Sequence, residues 1–359
     1  SHPDPSICRV KDKYYLVNSS FEYLPGLPIY QSKDLVNWNL TSYGITIDNA
    51  KFYPYNQIKS SLGIFAPTIR YYQGIFYLIC TFVGKGTVII ESNDLLTGWS
   101  EPHWIKEIKG IDPSLTFVEN KCYVQFTNEG KIYQCEINPH EGKVIGKLQI
   151  ISSGTGGRDP EGPHVYYQFG KYWLLTAEGG TREGHMVNMQ VSDNIWGPYQ
   201  PVKNNPILTN RNYKGDLQCV GHADIVKTQN NQFELVALSV REPKHIHLNL
   251  LGRETILLPV DWTRSGIKVN GSGIATIELN DPLEEVEQTI TKKFDRDEII
   301  SPFSYPQIKL SNDQLSYSLS PVKRNLHSLV GVRQKEFNGK FSFKIDLNIA
   351  ERSGLVVYK

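Results

Sequence analysis

Three acidic residues stand in proline-containing, turn-like settings: Asp4 in His2-Pro3-Asp4-Pro5-Ser6, Asp112 in Gly110-Ile111-Asp112-Pro113-Ser114, and Glu161 in Glu161-Gly162-Pro163-His164. One Asp-Pro-Ser is a common turn sequence, and taken alone it reads as structural. A set of acids that converge is different. Carboxyl groups brought together repel one another and lose hydration, so convergence points to chemistry, or to a metal site, more than to stability. The chemistry open to such a set is proton transfer, in which a protonated carboxyl donates while an ionised one accepts.

Convergence needs a frame. Short aromatic or aliphatic strand patterns occur at Tyr14-Tyr15-Leu16-Val17, Phe76-Tyr77-Leu78-Ile79, Cys122-Tyr123-Val124-Gln125-Phe126, Tyr172-Trp173-Leu174-Leu175 and Phe233-Glu234-Leu235-Val236. With Tyr15, Tyr77, Tyr123, Trp173 and Glu234 as equivalents, the intervals are 62, 46, 50 and 61 residues, each long enough for a four-stranded antiparallel unit. A second periodic element runs through Ser32-Lys33-Asp34-Leu35 to Trp38, Ser92-Asn93-Asp94-Leu95 to Trp99, and Ser192-Asp193-Asn194-Ile195 to Trp196. Each reads as a strand end, a polar turn and a tryptophan seating the next strand. Helical periodicity is nearly absent. The pattern predicts an all-β fold, a five-bladed β-propeller; a many-stranded β-sandwich is the alternative, but it does not require unit-length repetition.

Counting back eleven residues from each equivalent position lands on Asp4, Ala66, Asp112, Gly162 and Ala223. Equivalent positions near the start of each blade surround the central axis, so the frame gathers Asp4, Asp112, Glu161 and His222 around one pocket. Glycoside hydrolysis needs such a set: an acid for the leaving oxygen, and a base for water or a nucleophile to attack.

Composition narrows the partners. With 38 basic and 37 acidic residues among 359 the formal charge is +1, so nothing in the balance attracts nucleic acid or an anionic membrane. The 20 Tyr and 6 Trp suit sugar stacking and equally a β-sheet core. Five cysteines without CxxC spacing indicate buried free thiols rather than disulfides or zinc. No apolar run reaches membrane-spanning length and the start has no signal-peptide pattern; a soluble protein is expected, with cytoplasmic, periplasmic and secreted locations all open. After about residue 279 the repeat stops. Residues 1–279 read as the propeller, 280–300 as a charged linker, and 301–359 as the start of a β-sandwich, on alternating segments such as Gln314-Leu315-Ser316-Tyr317-Ser318-Leu319 and Lys340-Phe341-Ser342-Phe343-Lys344-Ile345. The pattern ends inside an apolar strand, Leu355-Val356-Val357-Tyr358.

With Phe65-Ala66-Pro67-Thr68, Gly221-His222-Ala223-Asp224 and Leu251-Gly252-Arg253-Glu254 added to the three acidic motifs, the chain resembles family-43 glycoside hydrolases of the β-xylosidase and α-L-arabinofuranosidase type. The resemblance covers nearly the whole chain. It implies a propeller followed by a β-sandwich and inverting hydrolysis, with Asp4 as general base, Glu161 as general acid and Asp112 orienting and tuning that acid. Base and acid should then stand roughly 6.5–9.5 Å apart to admit a water. Arg253 matches the arginine that binds sugar hydroxyls at the non-reducing end, against an alternative of a surface ion pair with Glu254. Phe21 and Phe65 match pocket-wall aromatics, tryptophan being usual at the second; core packing is the alternative for both. His222 matches a histidine that faces a central calcium ion or water cluster, so a structural calcium is implied by resemblance only, and a purely structural histidine is equally open. No cofactor is required for the chemistry. His185, on the loop after the acid-bearing blade, either reaches the pocket or is an exposed loop histidine. Relatives begin earlier, with a short strand before His2, and their sandwich runs further, so both ends are expected to be truncated. The expected substrate is a xylo-oligosaccharide or an arabinose-substituted oligosaccharide, cleaved from the end; an α-L-arabinofuranosidase, an arabinanase and a non-catalytic carbohydrate-binding propeller are the alternatives. A homo-oligomer is left open.

Overall fold

The computed structural model describes residues 1–242, 249, 251–277, 299–302, 307–311, 314–318 and 330–331. Its described residues form five four-stranded sheets, each an antiparallel meander, of consecutive strands in all but the first, which passes over Tyr23–Leu24. The first blade comprises Ser6–Val10, Lys13–Val17, Gly26–Ser32 and Asn39–Ile45, and the second Ile64–Tyr72, Ile75–Phe82, Gly86–Ser92 and His103–Ile105. The third is Ile111–Val118, Lys121–Asn128, Lys131–Asn138 and Lys143–Ser152, and the fourth Glu161–Gln168, Lys171–Glu178, Met186–Ser192 and Gln200–Pro201. Leu217–Lys227, Phe233–Arg241, Arg253–Thr263 and Gly266–Val269 make the fifth. The first strands of successive blades touch, and the ring closes where Leu217–Lys227 meets Ser6–Val10. This is the predicted propeller.

The repeat that revealed the blades lies in their second strands. Each blade is covered on both faces by its neighbours, so these strands read as continuous apolar runs rather than as alternation. Alternate residues serve different cores. Phe76, Leu78 and Cys80 pack with Tyr15 and Val17 of the first blade, whereas Tyr77 and Ile79 pack with Leu115 and Val124 of the third. The equivalent aromatics all face the next blade: Tyr15 the second, Tyr77 the third, Tyr123 the fourth and Trp173 the fifth. The polar turns form as expected; Asp34 Oδ1 accepts from the amides of Val36 and Asn37, and Trp38 Nε1 donates to Leu35 O.

Among the described residues the fifth and first blades share no strand pairing and are joined by other bonds. The fully buried Asp224 accepts through Oδ2 from Ser6 Oγ at 2.7 Å and the Ile7 amide at 3.0 Å, and the His2 amide donates to Arg253 O at 2.7 Å. All five cysteines are buried free thiols. Ser301–Pro302 pairs with Tyr23–Leu24 of the first blade, and Gln307–Ser311 pairs with Gln314–Ser318. Apart from Ile299 and Ile300 the expected linker lies outside the described residues, as do the alternating segments at 340–345 and 355–358.

Candidate active site

At the start of each blade one residue takes the left-handed conformation: Asp4, Ala66, Asp112, Gly162 and His222, with φ of 52, 34, 55, 55 and 47°. Bulges accompany it in the second to fifth blades, between Phe65 and Thr68, Ile111 and Ser114, Glu161 and His164, and at two places from Gln218 to Ala223. A bulge adds an unpaired residue and re-aims a side chain, and non-glycine residues rarely hold positive φ without such support. The structure refines the predicted frame in two respects. His222, not Ala223, is the fifth equivalent, because the turn between the first two strands of that blade, at 228–232, is longer than the two-residue turns of the other four. Glu161 does not share the seat of Asp4 and Asp112; it stands one residue before it, as Phe65 does before Ala66.

Asp4 is buried and tightly held. Arg253 Nη1 donates to its Oδ1 at 3.0 Å, Ser19 Oγ donates to its Oδ2 at 2.6 Å, and His222 Nδ1 lies 4.0 Å from Oδ1. Burial pushes its pKa up, but Arg253, then His222 and the Ser19 bond outweigh burial and hold the carboxyl below its usual value. Asp112, equally buried, accepts from the Gly162 amide through Oδ2 at 3.1 Å. Burial raises its pKa, with the charge of Asp4 acting the same way against the opposing pull of His222. Glu161 is partly exposed and is pushed up to about 7, first by burial and then by Asp112. Its approach is fixed from the third blade, where Thr127 Oγ1 donates to Pro160 O. On the other side, a Cβ on Gly162 would lie 3.1 Å from the His222 ring.

The arrangement thus drives two carboxyl groups apart in acidity, Asp4 below its usual value and Glu161 up to about 7, the divergence that acid–base hydrolysis requires. The wall is aromatic. The Phe21 and Phe65 rings meet edge to face at 5.4 Å, and the Arg253 guanidinium lies over Phe21 at 5.6 Å from its centroid. Arg253 is not a surface partner of Glu254, which pairs instead with Arg241 at 2.8 and 3.0 Å. The two neighbours on that strand point to opposite faces. Among the described residues no group of three or more His, Cys, Asp or Glu side chains is arranged to hold a metal.

Two elements escaped the sequence. Ser19 bridges two blades, since its Oγ donates to Asp4 and accepts from the Ala66 amide at 2.7 Å; its nearest signal was its position beside Phe21. Asp224 gathers Arg70, in a two-pronged pair at 2.8 and 3.1 Å, together with Tyr166 Oη at 2.7 Å. Arg70 in turn donates to His164 Nδ1 at 2.9 Å. His185, the presumed loop residue, is buried at 1% exposure, with Nε2 3.9 Å from Glu161 Oε1.

The sequence model described as "Glycosyl hydrolases family 43" matches residues 1–268. The chain belongs to that family. It is 40% identical over 281 residues to a non-reducing end α-L-arabinofuranosidase of Bacteroides ovatus, an alignment covering 76% of this chain and 52% of the relative. To a β-xylosidase of Bacillus subtilis it is 34% identical over 309 residues, covering 78% and 57%. The crystal structure of a xylan β-1,4-xylosidase from Bacillus halodurans superposes with a TM-score of 0.83 at 30% identity, covering 94% of this chain and 70% of that one. The chain therefore spans between half and three-fifths of the length of these two curated family-43 relatives. Among the described residues no helix is long and apolar enough to cross a membrane.

Proposed function

We propose that this family-43 chain removes single terminal pentoses, β-linked xylose first, from xylo-oligosaccharides by one-step inverting hydrolysis. The observation that carries the reading is the divergence of two carboxyl environments, with Asp4 held low by Arg253 and Ser19 while Glu161 is pushed up to about 7 by burial and Asp112. Asp4 takes a proton from water as the water attacks the anomeric carbon. Glu161 gives its proton to the departing glycosidic oxygen. Asp112, through the Gly162 amide and its own negative charge, orients and tunes Glu161. Arg253 binds the sugar hydroxyls and keeps Asp4 ionised, and Phe21 with Phe65 forms the apolar wall. Residues 1–279 are the catalytic unit and 301–359 begin a β-sandwich, a reading supported by the Gln307–Ser311 and Gln314–Ser318 pair. A calcium ion beside His222 rests on family resemblance alone.

α-L-Arabinofuranose is the second substrate, favoured by the 40% identity to the B. ovatus arabinofuranosidase. Hydrolysis of xylobiose followed by proton NMR tests the mechanism: α-xylose should appear first, and β-xylose as first product would exclude inversion. Parallel rates on aryl β-xyloside and aryl α-arabinofuranoside rank the two sugars.

A further inference from the structure

His185 directly precedes the third strand of the acid-bearing blade, and its ring is fixed on every side. Nδ1 bonds the Cys219 carbonyl at 3.0 Å, which requires the proton on Nδ1 and leaves Nε2 as a bare acceptor in the neutral ring. The ring lies against the backbone of Gly221, where a Cβ would come within 2.4–2.5 Å of three ring atoms. Nε2 is buried and has no hydrogen-bond partner, and the nearest carboxyl oxygen is Glu161 Oε1 at 3.9 Å. A phenyl ring would fill the same space without stranding an acceptor.

We propose that His185 is a positioning residue for the proton of Glu161: its bare Nε2 accepts the carboxyl O–H and holds the acid protonated until a leaving oxygen takes that proton. The proposal rests on Glu161 being the general acid. The gap closes by a small rotation of the partly exposed Glu161 side chain, and catalytic hydrogen bonds are commonly long before substrate binds. No proton passes to the histidine. The carboxyl turns about its last torsion, which is broad and roughly two-fold, and carries the proton from the histidine side to the glycosidic oxygen, whose bond to the anomeric carbon breaks as water attacks. Burial pushes the His185 pKa down to about 4, so the ring stays a neutral acceptor through the working range. Glu161 is faced by Asp112 from the third blade, Asp4 from the first, His222 from the fifth and Asp159 from its own approach. His185 is faced by His222, Asp4 and Arg253. The acceptor therefore adds to what burial and Asp112 already do.

The test compares H185F and H185Q, in the full chain, on xylobiose and on 2,4-dinitrophenyl β-xyloside, whose leaving group departs without protonation. H185F should lose about tenfold more kcat/KM on xylobiose than on the dinitrophenyl substrate. Its alkaline limb should move down by about half a pH unit or more, and H185Q, which restores an acceptor, should recover most of both. Equal losses on the two substrates, or an unmoved alkaline limb, would overturn the proposal. Should H185F fail to fold, 15N-histidine NMR of the unaltered protein decides: Nε2 should be unprotonated and should shift as pH crosses about 7, whereas a protonated or unresponsive Nε2 refutes the role. E161Q is the control. If it does not itself show the larger xylobiose loss, the assignment of the acid fails, independently of His185.

Discussion

Two acidic centres lie at the starts of the inner strands, and they are built to opposite rules. Asp224 is fully buried, and its two oxygens accept from Ser6, Ile7, Arg70, Tyr166 and its neighbour Ile225, drawing on four of the five blades. Burial raises its pKa, but Arg70 first and His164 next overcome this and hold it far below the usual carboxylate range. In the pocket, Asp4 is compensated, whereas Asp112 and Glu161 are not, and their pKa values rise. A compensated buried charge ties the ring together; uncompensated ones store reactivity at a cost in stability. The contrast teaches that Glu161, the proposed acid, and its neighbour Asp112 are recognised by the compensation they lack, not by how many acids are gathered.

The largest effects should fall on different readouts. D4N is expected to lower kcat/KM by about 10²–10⁴ with a modest change in melting temperature. D224N should instead destabilise the fold by about 3–5 kcal/mol, seen in chemical denaturation, because Arg70 is left buried without its partner. A D224N protein as stable as its parent would erase the distinction. The pH profile of kcat/KM sharpens it next: in the proposed mechanism Glu161 must be protonated, so activity should fall about tenfold per unit as pH rises through about 7, and Asp4 must be ionised, so the acidic limb should lie below the ordinary aspartate range. Stability should respond with opposite signs at the two centres. Asp224, depressed in the fold, contributes stability above the unfolded carboxylate pKa that is lost as pH falls through its folded value. Glu161, raised from 4.5 to about 7, contributes stability at low pH that is lost as pH rises through that interval. D112N should reduce turnover and move the alkaline limb downward, while melting at or above the parental temperature because a buried like charge has gone. The smallest effect is expected for Y166F, which removes one bond to Asp224 and should cost about 1.5–3 kcal/mol without altering the pH limbs.

The blades were legible because each second strand is enclosed by two neighbours, which forces a dense aromatic run at a recurrent position. Asp4 and Asp112 were legible because they sit eleven residues before their equivalent aromatics, and Glu161 because it stands directly before the matching Gly162. The offset failed at His222, because the turn at 228–232 is longer than the two-residue turns of the other blades and moves the second strand one residue further along the chain. Asp224 was visible within Gly221-His222-Ala223-Asp224, yet its meaning depends on Ser6, Arg70 and Tyr166, which only the closed ring brings near. His185 shows the same limit: a histidine among glycines reads as loop, and its burial becomes apparent only when Gly221 is seen to make room for the ring. Arg253 and Glu254 were separable only once strand alternation was fixed.

The meeting line of the fifth and first blades has a further consequence. Asp4 sits on it, two residues from the His2 amide bonded to Arg253 O, and its own carboxylate is bonded to the Arg253 side chain. The parts proposed to act together in taking a proton from water are thus the parts that separate first if the ring is pried open there. In a denaturant titration, the proposed hydrolysis should disappear ahead of the bulk β-signal, making activity a sensor of the ring's closure.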